Sequence, residues 1–265
     1  MPAPLFAVGD VHGHRDVLAV LLRDAGLVDP AERWSGHDAV VWLVGDLVDR
    51  GPDGIGAVDL VRRLERESDG ALHCLLGNHE ALMLAVHRFG DVETSFPGTT
   101  FRDVWRMNGG LESDLRALGP DHVEWVATRP AVGREGDWLL LHADTTGYLD
   151  YGDSAAAVNA AVAAVLDDGA VDEVDELLET LSDRMRLVDP EAVDALLARF
   201  GGTRIVHGHT PIATVRGVDP HEVIGPLVYG DGRVMNVDHC LFAGGPGFVV
   251  RLDAVNGQGR LGGRP

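Results

Sequence analysis

Aspartate, histidine and asparagine recur in this sequence directly after short apolar runs, mostly beside glycine, a placement that suits metal chemistry. Gly9-Asp10-Val11-His12-Gly13-His14 sets an aspartate and a histidine two positions apart. Both side chains can reach one ion, and the flanking glycines let the backbone approach it closely. Gly45-Asp46-Leu47-Val48-Asp49-Arg50-Gly51-Pro52 offers one aspartate able to bridge two ions, followed by an Asp-Arg pair leaving in a turn. Gly77-Asn78-His79-Glu80 offers a neutral oxygen ligand and then a histidine able to act as an acid. His142 follows three leucines, and His207-Gly208-His209-Thr210-Pro211 places two histidines around a glycine. Each motif also has a plainer reading: a polar turn after the first run, an Asp49–Arg50 surface pair, a helix cap at Asn78, and structural histidines at 142 and 207.

The elements that must position these residues are short. Apolar runs at 5–8, 39–44, 72–76, 138–141 and 203–206 are bounded and read as buried strands. Helical patterns fall at 17–22, 58–64 and 80–86. Strand, loop and helix in repeating order predict an α/β fold, in which ligands gather beyond the carboxyl ends of the strands. Five strand ends carrying Asp, His and Asn therefore predict one shared site. Residues 154–200 are Ala-rich, acidic and helical in pattern, a helical excursion divided near Gly169 and Pro190. Late strands are expected at 234–237 and 247–252. The reading is one domain over 1–256 and a Gly-rich tail over 257–265, expected to be flexible.

A chain of 265 residues suits one large core rather than two. Only Cys74 and Cys240 are present, which predicts no disulfide framework and a reducing compartment. No stretch approaches twenty apolar residues, and the start has no basic-then-apolar leader pattern, so neither membrane association nor export is expected and the location is read as cytoplasmic. A formal net charge of −20 repels nucleic acid and anionic lipid, while leaving room for a local cationic pocket.

In this order and at these strand ends, the motifs GDxHG, GDxxDRG and GNHE resemble the calcineurin-like metallophosphoesterase superfamily. They are closest in form to the PPP-type serine/threonine protein phosphatases and their bacterial and phage relatives, the Shewanella-like phosphatases and symmetrical diadenosine tetraphosphatases. Trp105-Arg106-Met107-Asn108-Gly109-Gly110 and Trp125 are similar to the Shewanella-like group. The resemblance implies a central β-sandwich of mixed sheets flanked by helices. It implies two divalent ions, Mn foremost with Fe, Zn, Co or Ni compatible, held by Asp10 and His12, by Asp46 as the bridge, and by Asn78, His142 and His209. It implies direct attack on a phosphomonoester by a metal-bridging water, with His79 as leaving-group acid oriented by Asp49, and Arg50 with Arg184 as phosphate clamps. The substrate it implies is a phosphorylated protein, or alternatively a small phosphate ester such as diadenosine tetraphosphate.

Three places in the chain depart from the family pattern. Pro211 stands where wider superfamily members have a second histidine, Asp144 where glycine is usual, and Asp238-His239-Cys240 where Asp-Thr-Gly is common. Asp144 is expected near the second ion, free to bind a water, tune the metal or repel some substrates, unless it only caps a turn.

Overall fold

A four-residue apolar run such as Trp138–Leu141 can bury both of its faces only if packed layers lie on either side, and that arrangement is found. The structure, a computed structural model, describes residues 3–254, so the expected tail lies outside the described residues. The strands are β1 (Leu5–Val8), β2 (Val40–Leu43), β3 (Leu72–Cys74), β4 (Val132–Glu135), β5 (Trp138–Leu141), β6 (Arg204–His207), β7 (Leu227–Tyr229), β8 (Val234–Asn236) and β9 (Val249–Arg251). The α-helices are α1 (Arg15–Asp24), α2 (Gly54–Glu67), α3 (Asn78–Phe89), α4 (Phe101–Met107), α5 (Glu112–Ala117), α6 (Pro120–Ala127), α7 (Ala155–Asp168), α8 (Val171–Ser182), α9 (Pro190–Phe200) and α10 (Ile212–Arg216).

Two mixed sheets result, in the orders β3-β2-β1-β9 and β4-β5-β6-β8-β7. In the first, β1, β2 and β3 run parallel and β9 pairs antiparallel with β1. In the second, β5, β6 and β8 run parallel between antiparallel edges β4 and β7. The fold is the expected α/β class with two sheets flanked by helices.

The alternation along each strand divides the apolar residues between layers. Leu5, Ala7, Trp42 and Val44 from the first sheet meet Trp138, Leu140, Val206 and Met235 from the second in one cluster. On the far side of the first sheet, Val8, Val41 and Leu43 pack with Leu18 and Leu22 of α1 and Val58, Val61 and Leu64 of α2. Beyond the second sheet, Leu139, Leu141 and Ile205 pack with Leu82, Trp105, Val162, Leu177 and Leu196 from the remaining helices. Each fully buried leucine of β5 contributes roughly 1.5–3 kcal/mol of transfer free energy. Helix α3 is buried from Asn78 through Val86, so it is apolar on every side, and its amino-terminal turn carries Asn78 and His79 into the region where strands from both sheets end.

Candidate active site

Asp46 follows β2 in the left-handed backbone region, with φ 53°. One of its carboxylate oxygens lies 3.4 Å from His142 Nε2, while the other lies 3.6 Å from His12 Nε2 and 4.0 Å from His79 Nε2. Its two oxygens thus face different histidines. Among the described residues, two groups of side chains could hold a metal ion, His12–Asp46–His79 and Asp46–His142–His209, with the ligand atoms of each group within 4.8 Å of one another. All of these residues are buried. Asp10 lies outside both groups. Its carboxylate accepts the His209 backbone N–H at 3.2 and 2.9 Å, which ties the end of β1 to the turn after β6.

The backbone here is strained. His12, Asp49, Arg50 and His209 share the left-handed region with Asp46, at φ 43°, 65°, 65° and 64°, each costing about 1–3 kcal/mol. Local hydrogen bonds hold them. The Asp46 carbonyl accepts from the N–H groups of Val11 and His12 at 2.9 and 2.8 Å. The buried Glu80 carboxylate accepts from the N–H groups of Asp46, Leu47, Val48 and Gly77 at 2.8, 2.7, 3.2 and 3.0 Å. Glycine is required at Gly77, where a Cβ would meet Asp46 Oδ1 at 2.2 Å, and at Gly208, where one would meet Asp10 Oδ1 at 2.1 Å.

Three histidines are prepared as neutral donors. Nδ1 of His12 lies 3.1 Å from the Val48 carbonyl, and Nδ1 of His142 lies 2.8 Å from the Val44 carbonyl. A carbonyl only accepts, so each Nδ1 carries the proton and each Nε2 turns a lone pair toward Asp46. His209 Nε2 faces the Ser182 carbonyl at 3.1 Å and Arg184 Nε at 3.0 Å. One nitrogen can donate to the first or accept from the second, not both. Donation to Ser182 leaves the lone pair on Nδ1, which is buried without a hydrogen-bond partner among the described residues. Burial lowers the pKa of all three rings; the His209 ring is lowered further by His142 and Arg184. Burial opposes the charge on Asp46, and the surrounding imidazoles lower its carboxyl below the usual range only where they are protonated; with His12 and His142 neutral, His79 is left as the protonatable ring beside it. Asp10 is pushed up by burial and by the carboxylates of Asp238 and Asp46, a sign of buried negative charge without a counter-ion. Neutral imidazoles and crowded buried carboxylates are the donor set a divalent ion needs, and these residues fit one.

His79 differs from the other three. Burial alone would lower its pKa, but Asp46 and the bonded Asp49 outweigh that and raise it. Its Nδ1 lies 2.8 Å from Asp49 Oδ2, and the other oxygen of Asp49 accepts the Trp105 indole N–H at 2.9 Å. Two arginines reach this cluster. Arg50 places Nη1 2.9 Å from His12 Nε2 and Nη2 2.9 Å from His79 Nε2. A guanidinium only donates, so both nitrogens accept here, and His79 carries a proton on Nε2 only once Arg50 turns to another acceptor such as phosphate. Arg184 arrives at His209 from the segment after α8.

The family model for calcineurin-like phosphoesterase matches residues 3–213. The chain belongs to this family. Among relatives, it is 34% identical over 84 residues to Shewanella-like protein phosphatase 2 of Arabidopsis thaliana, covering 31% of this chain and 22% of that protein. It is 38% identical over 148 residues to the symmetrical bis(5'-nucleosyl)-tetraphosphatase of Enterobacter sp. (strain 638), covering 55% and 44%. The chain thus spans less than half the length of these curated relatives. A cold-active protein-tyrosine phosphatase of Shewanella sp. superimposes with a TM-score of 0.69 at 22% identity, over 94% of this chain and 75% of that one, a likeness of fold.

Every site residue expected from the sequence of this phosphoesterase lies at one end of the sandwich, and three plainer readings meet a clear outcome. Asn78 does not cap α3; its Oδ1 lies 3.0 Å from His142 Nε2, and Glu80 serves the helix end instead. His207 is structural, with its Nε2 2.8 Å from the Tyr229 hydroxyl. Asp144 has both carboxylate oxygens bonded to protein groups, Thr210 Oγ1 and the Met185 N–H. Sequence reasoning missed Glu80 as the brace of the Asp46 turn, Trp105 as the partner of Asp49, and Phe242, whose ring lies 4.3 Å from the Arg50 guanidinium carbon. Glu80 was within a quoted motif, but three of its four backbone donors, Asp46, Leu47 and Val48, come from the loop after β2. Among the described residues, no helix is long and apolar enough to cross a membrane.

Proposed function

We propose that this phosphoesterase is a metal-dependent phosphatase acting on phosphomonoesters, with phosphorylated proteins bearing phosphoserine, phosphothreonine or phosphotyrosine as its substrates. The observation that carries this reading is the convergence of four buried histidines on Asp46, in which His12 and His142 turn Nδ1 to backbone carbonyls while His79 turns it to the carboxylate of Asp49. Asp10, His12, Asp46, Asn78, His142 and His209 would hold two divalent ions, Mn foremost, with Fe, Zn, Co or Ni compatible with the same oxygen and imidazole donors. When bound, such ions lower the pKa of a water and stabilise the entering and leaving oxygens. Arg50, beside His12 and His79, and Arg184, beside His209, hold the phosphoryl oxygens. His79 delivers a proton to the leaving oxygen from Nε2, while Asp49 keeps its Nδ1–H bonded and the ring in one orientation.

A second reading, hydrolysis of a small phosphate such as diadenosine tetraphosphate, is supported by the names of several relatives. Against it stands the cation supply at the histidine cluster, two arginines, which suits one phosphoryl group better than a polyphosphate. The test is chelation with EDTA, desalting and re-addition of Mn, assayed on an aryl phosphate, phosphopeptides and diadenosine tetraphosphate side by side. Activity should vanish on chelation, return with Mn and be highest on the monoesters. Full activity without bound metal by elemental analysis would overturn the metal assignment, and a far higher kcat/KM for diadenosine tetraphosphate would reverse the substrate ranking.

A further inference from the structure

We propose that Asp144 is a positioning residue that latches the Arg184 segment onto the ends of β5 and β6, through hydrogen bonds to Met185 and Thr210. The inference rests on the reading that Arg184 holds phosphate. Asp144 is fully buried. Its Oδ1 accepts from Thr210 Oγ1 at 2.5 Å, its Oδ2 accepts the Met185 N–H at 2.8 Å, and its backbone carbonyl accepts the Arg186 N–H at 3.0 Å. Next to it, Thr145 Oγ1 donates to Asp183 Oδ2 at 2.9 Å. Residues 144–145 are thereby zipped to 183–186, and the same carboxylate reaches the residue after His209.

The segment needs such a latch. Helix α8 ends at Ser182, and Met185 turns the chain in the left-handed region at φ 64°. Met185 is 41% exposed, so it gives the segment little apolar anchorage. Arg184 lies between these points and faces His209. A long guanidinium side chain on a loosely held turn would lose rotamer freedom whenever it met a phosphate; fixing the turn beforehand removes part of that loss. One buried carboxylate therefore joins three regions far apart in sequence: the end of β5, the His209 turn and the Arg184 turn.

The choice of variant separates a latch from a charge effect. Asparagine at 144 can keep its carbonyl oxygen on the Met185 N–H and donate its amide to the Thr210 hydroxyl, which is free to turn round and accept. Asp144→Asn should therefore preserve the latch while removing the charge, whereas Asp144→Ala removes both. In the metal-loaded enzyme, Asp144→Ala should speed amide exchange and tryptic cleavage over residues 183–188 by about tenfold or more, the scale of one lost charge-assisted hydrogen bond. KM for an aryl phosphate should rise by about tenfold, with kcat within about threefold. Asp144→Asn should stay within about threefold of the parent on each measure. Thr210→Val, which removes one partner without changing shape much, should move exchange in the same direction by less, and keeps the test alive should Asp144→Ala fail to fold. In an Arg184→Ala background, Asp144→Ala should add nothing further to KM. Unchanged exchange in both Asp144→Ala and Thr210→Val would overturn the latch. So would an Asp144→Asn enzyme as impaired as Asp144→Ala, or one with altered metal content, because either would place the charge itself at the metal. If Arg184→Ala alone leaves KM unchanged, the phosphate role of Arg184 fails, while the exchange rates still decide the latch.

Discussion

At the ends of β1, β2 and β3, seven candidate site residues stand between positions 10 and 79, in three compact motifs, and their supports are mostly in the same motifs. The Asp46 carbonyl holds the His12 turn, and Glu80, two residues from Asn78, holds the Asp46 turn through four N–H groups. At the ends of β5 and β6 the site residues come singly. His142 is oriented by the carbonyl of Val44, the His209 turn by the carboxylate of Asp10, and the Arg184 turn by Asp144. The first sheet supplies a tightly braced cluster. The second supplies donors whose placement depends on contacts made only once the chain has folded. A half-site built by such long-range ties can be retuned by one substitution without dismantling the other half, and the candidate substrate contact Arg184 lies in that half.

The residue common to both halves gives the largest expected effect. Asp46→Asn should reduce activity to background and bring metal content below two ions per chain, measured by elemental analysis of the purified protein. Near-normal turnover with two ions retained would mean that the halves do not share Asp46.

Within the first half, His79→Asn should cut kcat by about 10²–10⁴-fold with metal content intact. The loss should be smaller for p-nitrophenyl phosphate than for an alkyl phosphate, because a good leaving group needs less protonation. Asp49→Asn should give a similar loss, and the double variant little more, since the two side chains serve one proton transfer. Equal losses on both leaving groups, or additive losses, would reduce this pair to packing.

The contrast between halves also explains what could be read in advance. The three dense motifs and the apolar runs before them carry the first half, because glycine, aspartate and histidine at fixed spacing encode a strand end and its donors together. Helices α1, α2 and α3 follow from apolar spacing. Strands β4 and β7 were not expected: Val132–Glu135 has three polar or glycine positions in four, and Leu227–Tyr229 is three residues long and only half-buried. Asp144 was expected beside an ion because it follows His142 by two. Its side chain bonds to Thr210 and Met185, 66 and 41 residues away, pairings that no local pattern encodes. The Trp105 bond to Asp49, across 56 positions, escaped notice for the same reason.

That last contact offers the finest test of the bracing in the first half. Trp105 is fully buried, and its indole N–H is bonded to the Asp49 oxygen that does not meet His79. Trp105→Phe keeps an aromatic ring but strips one donor from a buried carboxylate, which typically costs about 1–3 kcal/mol of stability. If Trp105 also fixes Asp49 for proton transfer, kcat on an alkyl phosphate should fall by about fivefold, the scale of one modest hydrogen bond, and less on p-nitrophenyl phosphate. Trp125 supplies the control. Its indole N–H is bonded to Glu65 Oε2 at 2.6 Å, a bond of the same type between residues not among the expected site residues. Trp125→Phe should lower the melting temperature without changing the ratio of rates on the two leaving groups. A selective effect at Trp105 marks it as a positioning residue acting through Asp49. Identical behaviour of the two variants would assign Trp105 to the core alone and leave the His79–Asp49 pair as the whole of the acid.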